Sequence, residues 1–287
     1  MKSPKIAEKR LAAKKLATKR RRNKLILRWT VGVVSVAAVA AAVIAGSIAT
    51  SQQNEAKEKE ASSLQLNTPS LATAVGSFAV NSAGKAVPLD EADSSVPRIE
   101  FVFDPQCPGC QIVETGTHDE VESLMESGEA QFFFTPVSFL NGASTDDYSA
   151  RAASTAIEVA QSDPDHFYDY ISAIYEEENF PGEGANYPRG GVSYADLGET
   201  ARAAGVSDEA IAKFDEQNYR LWVLENTKVN AERTEVFPQG ISTPTVLMGG
   251  ELQEEGDKFV LKDFLKVPFQ DSDVAKTFRD SFAQISG

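Results

Sequence analysis

The 287-residue chain holds two cysteines, Cys107 and Cys110, with Pro108 and Gly109 between them. Two thiols at this spacing can form a staple, half of a metal site, or a reversible switch. The staple gains little, because so short a loop is worth about 2 kcal/mol against roughly 4.7 for a 100-residue loop. The metal site lacks partners: zinc normally takes four ligands, and the chain offers only His118 and His166. Both histidines fall on predicted helices and read as solvated side chains. Thiol–disulfide exchange is the chemistry that fits the pair.

Only a thiolate attacks a disulfide, so the environment of the first sulfur decides its use. Val96 to Phe103 is an apolar run, and Pro108 suits the first turn of a helix that follows it. Cys107 then stands at the helix N-cap, where unpaired N–H groups and the positive dipole end favour an anion. Cysteines so placed fall to a pKa of roughly 3.5–7.5, against about 8.5 when free. Asp104 and an acidic domain oppose this. A diffuse field is screened within about 8 Å at physiological salt, so the contact interactions should prevail. Cys110, one turn in, should be less acidic.

The elements around the motif read as follows. Short strands are predicted at Phe78–Val80 and Lys85–Val87, then at Ile99–Phe103. A helix runs from Pro108 to about Ser127 and stops at Gly128. Gln131–Val137 is a buried aromatic strand. A long helical block comes next: Tyr148–Gln161, then Asp163-Pro164 leading a helix to Glu178. After a loop at Phe180–Gly191, Ser193 and Asp196 stand at capping-box spacing. Ser207 caps a short helix, and Tyr219–Glu235 forms a longer one. Thr245–Met248 returns to strand, Gly249-Gly250 turns, a strand resumes near Lys258–Leu261, and a helix spans about Ser272–Ile285. This is an α/β order with a helical block, about 144–236, interrupting the core.

The formal net charge of −14 conceals two opposite segments. Residues 1–28 hold twelve Lys and Arg against one acid, Glu8, leaving 16 of the 28 bases and 41 of the 42 acids to the rest. Trp29–Thr50 carries no charge and is long enough to cross a bilayer, which takes about 20 residues. Basic residues on its N-terminal flank mark the cytoplasmic side. Ser47-Ile48-Ala49 would suit a signal peptidase, but a signal h-region usually runs about 7–15 residues, so the length favours a retained anchor. The position of the basic tail favours topology control over nucleic-acid binding. Residues 51–75 read as a tether with a reach of roughly 25–30 Å, and 76–287 as one extracytoplasmic domain. Such a location is oxidising.

Three features together resemble the DsbA-like branch of the thioredoxin superfamily: Phe101-Val102-Phe103-Asp104-Pro105-Gln106-Cys107-Pro108-Gly109-Cys110, the helical insertion, and Gly240-Ile241-Ser242-Thr243-Pro244-Thr245-Val246. The resemblance covers roughly Gly76 to Gly287. It implies a thioredoxin-like α/β fold and a protein thiol–disulfide oxidoreductase whose only redox group is its own Cys107–Cys110 disulfide, with no metal. It implies that Cys107 is the exposed attacking sulfur and Cys110 its buried partner. It also implies that Pro244 is cis and that Thr243, with Pro108 and Gly109 nearby, meets an extended substrate segment. Two positions depart from the family. Relatives often carry a buried acid six residues before the first cysteine, where this chain has Phe101. Neighbouring Glu100 should face the other side of the strand. Strongly oxidising relatives often have His before the second cysteine, where this chain has Gly109.

The leading expectation is a monomeric, membrane-anchored oxidase of exported cysteine-containing proteins, recharged by a quinone-linked membrane thiol oxidase. A reductase or isomerase supplied with electrons across the membrane stays open, since Pro108-Gly109 does not choose a direction. So does a metal chaperone or binding module on the same fold, although two His and three Met make a poor metal-delivery surface. Gly182-Glu183-Gly184 carries an acid where a phosphate loop needs Lys. Glu176-Glu177-Glu178 reads as a solvated helix end.

Overall fold

Two apolar runs, Arg98–Phe103 and Gln131–Pro136, need cover on both faces, and they become neighbours in the middle of one sheet. The computed structural model describes residues 66–143, 146–180, 192–255, 258–269 and 273–286. Strands β1 (Phe78–Val80), β2 (Ala86–Val87), β3 (Arg98–Phe103), β4 (Gln131–Pro136), β5 (Thr245–Glu255) and β6 (Lys258–Lys266) lie in the order β2-β1-β4-β3-β5-β6. β3 and β4 are parallel, in register from Arg98↔Gln131 to Phe103↔Pro136. Parallel neighbours need a crossover, and helix α1 (Pro108–Ser127) supplies it. α1 starts with Pro108 and ends at Gly128, whose φ of 70° is a left-handed cap conformation.

One face of β3 presents Ile99, Phe101 and Phe103 to the main core. Phe101 packs on Phe134 at a ring separation of 5.6 Å and on Phe278 at 6.0 Å. The opposite face presents Val102 to Val137, Phe237 and Leu247. Glu100 lies on that side, fully buried. Its carboxylate accepts from Arg233 Nη1 at 2.8 Å, Arg98 Nη2 at 3.0 Å and Thr135 Oγ1 at 2.7 Å. Burial would raise its pKa, but the Arg233 and Arg98 guanidiniums overcome this and hold it far below the ordinary value.

The helical insertion between β4 and β5 comprises α2 (Tyr148–Ser162), α3 (Phe167–Tyr175), α4 (Tyr194–Ala203), α5 (Asp208–Ile211) and α6 (Arg220–Ala231). Every residue of α2 from Tyr148 to Ala160 is buried, as small alanine side chains permit in a helix packed on all sides. α4 opens with the predicted capping box, Ser193 N–H reaching Asp196 Oδ2 at 2.7 Å. The last helix, α7 (Val274–Ser286), lies against α1.

Several boundaries differ from the sequence reading. Pro164–His166 is a short 3-10 turn, and α3 ends at Tyr175 rather than Glu178. α6 ends at Ala231, short of Glu235. Gly249-Gly250 is not a turn: β5 continues through it to Glu255. Both glycines and the facing Asp263 have positive φ, which bends the ribbon while the register holds from Gly249↔Phe264 to Glu251↔Lys262. A Cβ on Gly250 would stand 2.8 Å from the Lys262 carbonyl. Part of the expected tether also belongs to the fold. Val75 is buried, Ala72 bridges to Phe78, and Asn230 Nδ2 donates to Val75 O at 3.1 Å. The basic tail, the predicted span and the tether up to residue 65 lie outside the described residues. Among the described residues no helix is long and apolar enough to cross a membrane.

Candidate active site

The motif begins where β3 runs out of sheet partners. After Phe103 the chain turns at Asp104, whose Oδ1 accepts from Gln106 N–H at 2.9 Å. The Asp104 carbonyl accepts from Cys107 N–H at 2.9 Å. This turn sets Cys107 at the N-cap of α1 with extended backbone, φ −81° and ψ 116°. Cys110 follows one turn later and points into the core.

Across the site, the Thr243–Pro244 bond is cis. The Cys107 thiol donates to the Thr243 carbonyl at 3.4 Å. Pro244 leans on the motif so closely that a Cβ on Gly109 would lie 2.8 Å from Pro244 Cδ. Cys107, Pro108, Gly109, Cys110, Thr243 and Pro244 therefore meet in one place, although 136 residues separate Cys107 from Thr243. A cavity of about 20 Å³ beside Cys110 reaches Pro244, Phe134 and Tyr175.

Both cysteines are free thiols, and each is 3 % exposed. The exposed Cys107 implied by the resemblance is corrected here: its sulfur turns under the Thr243 carbonyl. Pro108 and Gly109, both half-buried, form the open side of the motif. The two sulfurs still differ electrically. Donation from the Cys110 thiol outweighs burial and pulls the Cys107 thiol below its ordinary value, with help from Thr243 and the Cys110 N–H. Burial, reinforced by the neighbouring Cys107, pushes Cys110 far up. Cys107 is the more acidic thiol, as its place at the helix start predicts.

Asp104 is more than the opposing charge that the sequence indicates. Its carboxylate is wholly buried. It accepts from Leu140 N–H at 2.8 Å and Ser149 Oγ at 2.8 Å as well as from Gln106. Burial nonetheless pushes its pKa up to about 6. Tyr175 OH donates to the Asp104 carbonyl at 2.8 Å. Nothing local in the sequence marks Ser149 or Tyr175, which stand 45 and 71 residues away on insertion helices.

Phe101, at the position where relatives carry an acid, is core, and Glu100 is engaged on the far side of the sheet. The histidines are half-buried rather than solvated. His118 contacts Glu114 Oε1 at 3.2 Å and stacks on Tyr168, and Glu114 raises its pKa. His166 pairs with Asp163 at 2.8 Å. Among the described residues no group of three or more His, Cys, Asp or Glu side chains is placed to hold a metal ion.

Comparison with known proteins agrees with this geometry. A family model described as Thioredoxin matches residues 91–264, more than half of the chain. The thiol-disulfide oxidoreductase MdbA of Actinomyces oris is similar in structure, with a TM-score of 0.54 at 17% identity over 77% of this chain and 93% of that one. Reduced DsbA of Mycobacterium tuberculosis is 27% identical, with a TM-score of 0.48 over 62% of this chain and 85% of that one. A search of curated proteins gives no match. The paired cysteines at a helix start, the cis-proline facing them and the matching family model lead to one conclusion: the chain belongs to the thioredoxin family.

Proposed function

We propose that this protein is a membrane-anchored, extracytoplasmic oxidase that introduces disulfides into exported proteins. The carrying observation is the inequality of the two sulfurs. A Cys107 held below the ordinary thiol value stabilises the reduced enzyme, and a stabilised reduced form makes a strong oxidant. In the forward reaction a substrate thiolate attacks Cys107 Sγ of the disulfide. Cys110 leaves with the bonding electron pair and takes up a proton. A second substrate thiolate then attacks the substrate sulfur of the mixed disulfide, and Cys107 departs as a thiolate. The substrate has lost two electrons and the enzyme has gained them. Thr243 and Pro244 flank the substrate strand, and a thiolate at Cys107 no longer donates to the Thr243 carbonyl, leaving it open to a substrate N–H. A quinone-linked membrane thiol oxidase would return the pair to the disulfide.

The buried Asp104 charge argues the other way, because it disfavours the thiolate and so supports the reductase or isomerase reading. The reduction potential of the pair decides. A value well above the roughly −270 mV of thioredoxin, with oxidative refolding of a reduced substrate protein, is expected. A value at or below it would refute the oxidase direction. For the anchored topology, protease added to intact spheroplasts should remove residues 51–287, and protection of that part would refute it.

A further inference from the structure

The helical insertion meets the cysteine motif through the last residue of α3. Tyr175 is buried, and it engages the chain on both sides of the pair. Before the pair, its hydroxyl donates to the Asp104 carbonyl at 2.8 Å, and its ring stands edge-on to Phe103 at a centroid separation of 6.3 Å. After the pair, its backbone carbonyl accepts from Gln111 Nε2 at 3.0 Å. Phe180 backs the ring at 6.0 Å, and Tyr175 also lines the cavity beside Cys110. One residue thus brackets Phe103 to Gln111 from a helix that lies 71 residues beyond Asp104.

The Asp104 carbonyl is where this bracket reaches the first cysteine. A carbonyl oxygen has two lone pairs. One accepts from Cys107 N–H at 2.9 Å, the bond that sets Cys107 at the helix start, and the other accepts from Tyr175. Together the two donors fix the peptide plane after Asp104, and with it the extended backbone of Cys107 at φ −81° and ψ 116°. That backbone aims the sulfur at the unpaired N–H groups of the first turn of α1. A disulfide is uncharged and gains little from such donors, whereas a thiolate depends on them. Without the hydroxyl, the carbonyl keeps one donor of two and the turn is free to tilt, at the expense of the thiolate. The other titratable groups acting on the sulfur are Cys110 and the Asp104 carboxylate. The carboxylate is held by Leu140, Gln106 and Ser149, and Tyr175 is not among its partners.

We propose that Tyr175 is a positioning residue for Cys107: its hydroxyl, through the Asp104 carbonyl, holds the first sulfur in the helix-start geometry that favours its thiolate. The insertion then sets the reactivity of the pair as well as covering it. The proposal rests on the reading of Cys107 and Cys110 as a dithiol–disulfide couple and is independent of the oxidase direction. Tyr170 supplies the contrast. It lies on the same helix and is equally buried, but its hydroxyl bonds Thr155 Oγ1 at 2.8 Å, inside the insertion and away from the motif.

The pH profile of Cys107 alkylation in the reduced protein, measured together with the reduction potential, tests it. Tyr175→Phe should raise the midpoint of the profile by about half a unit and favour the disulfide against glutathione by about threefold. Tyr170→Phe removes an equally buried hydroxyl and should lower Tm by a similar amount, yet leave the midpoint and the potential where they are. Gln111→Ala releases the other end of the bracket at a half-buried position. It should raise the midpoint too, and add less than its own shift on top of Tyr175→Phe, because the two act through one residue. Gln111→Ala also decides the matter if Tyr175→Phe does not fold. A midpoint unmoved in Tyr175→Phe or in Gln111→Ala, or an equal shift in Tyr170→Phe, would overturn the proposal and reduce Tyr175 to core packing. A low wild-type potential would refute the oxidase direction, while a difference between the two tyrosine variants would leave this inference standing.

Discussion

At Cys107 two kinds of electrostatics meet, and the shorter-ranged one prevails. The Cys110 thiol and N–H and the Thr243 loop act at contact distance, while the Asp104 carboxylate spends its hydrogen bonds on Leu140, Gln106 and Ser149. A thiol of lowered pKa beside one of raised pKa gives a division of labour despite equal burial. Alkylation of the reduced domain should label Cys107 first, at a rate limited by transient opening of the Pro108-Gly109 side. Cys107→Ser should abolish substrate oxidation. Cys110→Ser should leave a reactive Cys107 without its resolving partner, so mixed disulfides through Cys107 accumulate. Faster labelling at Cys110, detected by peptide mapping, would reverse the assignment. The chemistry of these two residues is legible in the chain, because spacing and helix start act locally. Asp104 is legible only as a charge: its burial depends on Leu140, Ser149 and Tyr175, which no local pattern connects to it.

The β3–α1–β4 unit is legible element by element, since an apolar run, a first-turn proline and a terminal glycine each state their role without tertiary help. Gly249-Gly250 misleads because paired glycines signal a turn, whereas positive φ inside a long hairpin serves equally to bend it. Residues 66–75 look like tether in composition and dock through backbone bonds that composition does not reveal. The packing of α1 on α7 is similarly hidden, and it makes a prediction. Gly116 sits mid-helix, where alanine would normally gain about 1 kcal/mol, yet a Cβ there would overlap Val274 Cγ2. Overpacking costs about 1–3 kcal/mol, so Gly116→Ala should destabilise the domain in denaturant unfolding. In a Val274→Ala background the same change should stabilise it by about 1 kcal/mol. Stabilisation by Gly116→Ala alone would show that the helices are not this close.

For the whole domain, Glu100 and Asp104, both buried, make stability depend on pH in opposite senses. Glu100, held down by Arg233 and Arg98, stabilises the fold above its ordinary value of 4.5, and that contribution is lost as pH falls below it. Asp104 is raised from an ordinary 3.8 to about 6, so between these values the folded state binds more protons than the unfolded chain. Its effect is therefore a loss of stability as pH rises through that window, complete above about 6. The gap corresponds to about 3 kcal/mol. His118, raised by Glu114, contributes in the same direction, losing stability as pH rises, but its side chain is 34% exposed and solvent screening keeps the effect small. The reduced domain should accordingly be most stable in mildly acidic solution, between the Glu100 and Asp104 transitions. About half of the Asp104 change falls between pH 5 and 7, so its Tm should be roughly 3–5 °C higher near pH 5 than above pH 7. Asp104→Asn should flatten the neutral side of this profile and leave the acid side, governed by Glu100, in place. A wild-type Tm that rises steadily from pH 5 to neutrality would mean that the Asp104 carboxyl is not held in the buried, strained ionisation that its surroundings impose.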